Sequence, residues 1–232
     1  AIVCQTAYMK AHYPVEYMTA SLTIERGNSE KVAGLIAECR RLGIEVLPPC
    51  VNHSAVEFTI EGDSIRFGMG AIKNVGEAAI ELILQARQEG GPFTSLDDFA
   101  SRVDLRQVNK RVLECLIRAG ALDCFGSRVG LLNSLDTIMA VSSQTHQARE
   151  AGQLTMFDMG CGVQAPKVAI DAGQENGDGA SLKQKLSWER ELLGVYVSEH
   201  PLHKWSRTLA GMVTAFSTEL TEELAGQVVT VA

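Results

Sequence analysis

The sequence has no Cys-x-x-Cys pair, no apolar run of membrane-spanning length, no Gly-Lys-Ser/Thr phosphate loop and no overall excess of positive charge. Each absence narrows the possibilities. Six cysteines (Cys4, Cys39, Cys50, Cys115, Cys124 and Cys161) stand singly, as expected for reduced, mostly buried thiols of a cytoplasmic protein. With neither an apolar span nor a signal peptide, no membrane contact is expected. A formal charge of −7 and a pI near 5.3 argue against a surface that coats a polyanion, so any such contact must be a local patch. The five histidines offer no metal site, because His200 and His203 flank Pro201 and lack cysteine or carboxylate company.

What remains is ordinary globular composition: 232 residues, 46% hydrophobic and 21% charged, enough chain for one or two domains with a real core. The chain opens on AIVCQTAYMKAHYP, which reads as the middle of a helix, and closes on an alternating run, GQVVTVA. Both ends read as an excerpt from a longer polypeptide.

The organising stretch runs from Phe67 to Gly91, FGMGAIKNVGEAAIELILQARQEGG. A tight turn at Lys73-Asn74-Val75-Gly76 leads into a helix with Ala79, Ile80, Ile83 and Leu84 inward and Glu77, Glu81 and Gln85 outward. Gly68 and Gly70 are expected to take backbone angles that other residues would find strained. A turn of this kind directs backbone N–H groups outward at a helix N-terminus, where an anion can sit. The third glycine comes too late for a dinucleotide fingerprint. A second unit of similar plan, DLRQVNKRVLECLIRAG from Asp104 to Gly120, has its turn at Gln107-Val108-Asn109, with Asn109 as N-cap and Gly120 as terminator. Between Arg102 and Arg118 five basic residues face two acids, a local excess of three positive charges. Paired units with a basic second turn look like a tandem helix-hairpin-helix module, which grips nucleic-acid backbone without reading bases.

Around this centre the expected order is mainly α with a small β-hairpin. Two helices split by Pro14 come first, with Val15, Met18, Leu22 and Ile24 inward. A helix capped by Ser29 runs to about Arg41 and stops at Gly43. A short strand spans Ile44–Leu47, and a hairpin turns at Glu61-Gly62-Asp63. Ser95 to Asp98 starts a short helix. One helix is expected from about Val129 to Glu150. A glycine-rich linker covers Asp158 to Ala180, and a helix from Ser181 to Leu193 is stopped by Gly194.

Five segments in this order, QTAYMKAHYPVEYMTASL, EKVAGLIAECRRLGIEVLPPCVN, FGMGAIKNVGEAAI, VNKRVLECLIRAGALD and LLGVYVSEHPL, resemble the bacterial replicative polymerase family of DNA polymerase III alpha subunits. The resemblance covers nearly the whole chain. It implies that residues 1–60 end a fingers region and residues 61–125 form the tandem hairpin module. Residues 126–180 would be a helix and a flexible linker, and residues 181–232 a helical connector with the first strand of an OB-fold. It further implies that Lys73, Asn74, Val75, Gly76, Arg106, Asn109, Lys110 and Arg111 meet phosphates of duplex DNA.

Gln153-Leu154-Thr155-Met156-Phe157 is similar to the peptide by which bacterial polymerases dock on a sliding clamp. Leu154, Met156 and Phe157 would fill an apolar pocket, and the Gln153 amide would supply a directional hydrogen bond. Other replicase subunits are implied as partners. The family's catalytic aspartates, which hold Mg2+, lie outside this chain, so no catalytic residue and no cofactor are expected here. Two other readings share some of these features: a free-standing, non-catalytic helix-hairpin-helix DNA-binding adaptor, and a small-molecule enzyme using the glycine turn for a nucleotide.

Overall fold

Helix α1 (Ile2–His12) gives way to α2 (Pro14–Ile24) at Pro14, whose missing N–H falls in the first turn, where no helical bond is lost. The structure, a computed structural model, describes residues 2–150 and 181–198. All of these up to Val197 belong to one compact unit, and a second begins at Ser198. No residue of α1 is buried, while α2 buries Met18 and Leu22. Ile24, expected inward, is 80% exposed, because it lies two residues past buried Leu22 and so about 200° round the helix from it.

The cap of α3 (Ser29–Arg41) is Asn28 rather than Ser29: its Oδ1 accepts from the N–H groups of Glu30 and Lys31. Asn28 has extended backbone while Ser29 is already helical, the arrangement that frees a side chain to cap. Gly43 then takes the left-handed angle that ends the helix, φ +75°.

Strands β1 (Val46–Leu47), β2 (Thr59–Glu61) and β3 (Ser64–Arg66) make one small sheet in the order β1-β3-β2. β2 and β3 form the expected hairpin, with Ile60 opposite Ile65. β1 adds to β3 in parallel, which period-two patterning does not reveal. Helices α4 (Glu77–Gly90), α5 (Leu96–Arg102) and α6 (Lys110–Arg118) follow. The single helix expected to end at Glu150 is two, α7 (Arg128–Asn133) and α8 (Leu135–Glu150). They part at Asn133-Ser134, residue types whose side chains compete with helical hydrogen bonds. Helix α9 (Leu182–Leu192) is capped by Ser181 and followed by Gly194 at φ +79°.

One continuous apolar core runs from Met18 to Val195, with Phe67, Ile80, Ile83, Phe99, Leu113 and Leu116 fully buried within it. Among the described residues no helix is long and apolar enough to cross a membrane. Of the five cysteines described, only Cys39 and Cys115 are buried, so the expectation of mostly buried thiols is met in part.

Candidate nucleic-acid interface

Each hairpin turn is held from behind by a fully buried serine. Ser54 Oγ donates to the Phe67 carbonyl (2.7 Å) and accepts from the Cys50 N–H (3.0 Å), fixing the chain as it enters the first unit. Ser142 Oγ of α8 donates to the Val103 carbonyl (2.8 Å) and accepts from the Leu105 N–H (3.0 Å), fixing the second. Both hydroxyls satisfy backbone groups that burial would otherwise strand. No spacing in the sequence points to either.

The first unit differs from expectation in two ways. Its leading helix is only a 3-10 turn, Met69–Ala71, and the left-handed residue is Asn74 (φ +64°) rather than any of the three glycines around it. Asn tolerates this region better than other side-chain-bearing residues, because its short polar side chain can bond locally. Gly68 and Gly70 serve close approach instead. A Cβ on Gly68 would lie 2.5 Å from the Glu57 carbonyl carbon, and one on Gly70 would lie 2.8 Å from the Val56 oxygen. Gly76 is the N-cap of α4, with open space where a Cβ would stand.

The four site residues expected in this turn divide by role. Lys73 and Asn74 have exposed side chains, and Val75 is buried in the core. The Lys73 N–H donates to the Leu192 carbonyl of α9 (3.0 Å), and the Val75 N–H closes the turn onto Ile72 (3.3 Å). These two amides are therefore engaged within the protein.

In the second unit the turn starts earlier than expected, with the Gln107 N–H on the Asp104 carbonyl. Asn109 caps α6 as expected, its side chain accepting from the Arg111 N–H (3.0 Å). The five cations are used differently. Arg102 lies over the Phe93 ring and bonds Asp98 and the Gly91 carbonyl, binding α5 to the end of α4. Arg118 pairs with Glu114 and lies 5.8 Å from the Trp188 ring of α9. Arg106 holds Asp104 (2.8 Å) and Glu150 (2.5 Å), and Lys110 pairs with Asp136. The Arg106 guanidinium, helped by the Gln107 amide, keeps the Asp104 carboxyl well below the usual carboxylate range. Among the described residues neither Arg111 nor Lys73 has an ion-pair partner.

The two turns open on one cleft of about 400 Å³. Asn74 lines it from the first turn, Asn109, Lys110 and Arg111 from the second, and Glu191 and Leu192 from the end of α9. Arg118 completes the wall with a buried Nε that has no hydrogen-bond partner. Beneath it, Arg128 is 3% exposed and joins Asp123 (2.9 Å) to Glu189 of α9 (3.1 Å), which is itself 1% exposed. That buried pair seats α9 against the second hairpin, and sequence reasoning missed it because its partners are 61 residues apart. Gln153, Leu154, Met156 and Phe157 lie outside the described residues, as do the glycine-rich linker and the C-terminal run.

The comparisons agree with this geometry. A helix-hairpin-helix motif matches residues 43–131. The chain is 43% identical over 227 residues to the DNA polymerase III subunit alpha of Thermus aquaticus, a match covering 96% of this chain and 18% of that protein. The corresponding subunits of Vibrio cholerae and Escherichia coli are 43% and 40% identical over 207 residues, covering 88% of this chain and 18% of each. The chain thus spans about a fifth of the length of the curated relatives it matches. Its similarity is to one segment of the DNA polymerase III alpha subunit.

Proposed function

We propose that this chain holds the sugar–phosphate backbone of duplex DNA for a bacterial replicative polymerase acting in the cytoplasm, whose whole protein performs template-directed DNA synthesis. The observation that carries the reading is the shared cleft: two hairpin turns, far apart in sequence, face one space with Asn74, Asn109, Lys110 and Arg111 around it. Backbone recognition suits such a lining, since amides and cations meet phosphates without reading base edges. Lys73 and Arg111 are the cations ready to bind, and Gly76 and Asn109 set the starts of the two helices beside them.

Mg2+ belongs to the whole polymerase. Among the described residues no group of three or more His, Cys, Asp or Glu is placed to hold a metal ion. Gln153, Leu154, Met156 and Phe157 form the proposed clamp-docking peptide, and other replicase subunits are further proposed partners.

Duplex binding across a salt series tests the DNA reading. Lys110→Glu with Arg111→Glu should weaken binding equally for unrelated sequences and flatten the dependence on salt. A loss confined to some sequences would contradict backbone recognition. Binding to a sliding clamp, lost in both Gln153→Ala and Phe157→Ala, tests the peptide, and binding unaffected by either change would reject it.

A further inference from the structure

Two of the second hairpin's cations already have anionic partners, and both partners come from one helix. Asp136, in the first turn of α8, pairs with Lys110, and Glu150, at the other end of α8, pairs with Arg106. The two carboxylates are highly exposed, with side chains 84% and 65% accessible. Asp104 is a different kind of partner. It is only 13% exposed, it holds Arg106 through both oxygens, and it also accepts from the Arg106 N–H and the Gln107 amide.

Resting on the DNA-binding reading above, we propose that Asp136 and Glu150 occupy the phosphate-binding cations in the free protein and are displaced by the DNA backbone, so that α8 sets the affinity of the second hairpin. Asp104 stays on Arg106 throughout and keeps the turn in shape. An exposed ion pair in water is weak, so a polyanion carrying a condensed counterion atmosphere can replace the carboxylates. The exchange has a cost, because each freed carboxylate is left beside the incoming phosphates and repels them. Arg111 and Lys73, which have no such partner, make the first contacts.

The test is duplex affinity of the full chain across a salt series, comparing the parent with D136N, E150Q and the double variant. A double variant with the same charge change placed elsewhere, E30Q/D63N, serves as control. Each single change should tighten binding about two- to five-fold at low salt. D136N should give the larger gain, since Lys110 then has no other ion-pair partner among the described residues while Arg106 keeps Asp104. The slope of log affinity against log salt should steepen by up to about one per carboxylate removed. Gains no larger than the control's would overturn the proposal and leave DNA binding standing. Failure of the parent to bind any duplex would overturn the DNA-binding reading itself, and this proposal with it.

Discussion

The two hairpins share a plan and differ in what builds them. The first is a backbone construction: glycines pressed against the Val56–Glu57 main chain, a left-handed Asn74, and amides donating to Ile72 and Leu192. The second is a side-chain construction, in which Asp104, Arg106, Asn109 and Ser142 define the turn and ionic groups from α8 and α9 surround it. One fold position can thus be reached by sterics or by charge. The first kind should be sensitive to added volume, the second to charge removal and to pH.

The largest expected effect falls on the second hairpin. Arg128→Ala removes the buried guanidinium that joins Asp123 to Glu189 and should cost about 3–5 kcal/mol, measurable by urea denaturation. A cost under about 1 kcal/mol would mean that α9 is not seated by this pair.

Next comes the first hairpin. Gly68→Ala places a methyl group 2.5 Å from main-chain carbon and should cost about 1–3 kcal/mol or more, whereas Gly76→Ala, with open space at its Cβ, should cost far less. Equal losses would show that conformational freedom rather than close approach governs these glycines.

The smallest effect is acid sensitivity. Asp104 is depressed in the folded chain, so its contribution is present above its unfolded value, about 3.9, and is lost as pH falls through the folded one. Amide exchange, corrected for intrinsic rates, should therefore quicken at Leu105–Asn109 before Ile72–Gly76 as pH drops below about 4. Simultaneous opening would erase the distinction between the two turns.

Much of this was legible in the sequence because it is local. Pro14, Gly43, Ser95, Asn109, Gly120, Ser181 and Gly194 act through neighbours within a few residues, and all stand where helices begin or end. The apolar stripe of α6 is equally local, with Leu113, Leu116 and Ile117 buried. Asn28 was misjudged by one place, because Asn and Ser cap equally well and only the backbone angles separate them. The role of the glycines was missed for another reason: close approach depends on a distant segment, whereas positive φ can be guessed from residue type. Charge was the least legible. Five cations in one stretch suggested a basic patch, yet Lys110 and Arg106 meet Asp136 and Glu150 of a helix 26 and 44 residues away.

The most direct test of the shared cleft is a double-mutant cycle in duplex binding with Lys73→Glu and Arg111→Glu, one from each turn. If both turns grip one backbone, each change weakens binding to unrelated duplexes alike, and each lowers the salt slope by about one. If Lys73→Glu leaves affinity and slope unchanged while Arg111→Glu reduces both, the first hairpin is a structural support, and the two-turn interface is wrong.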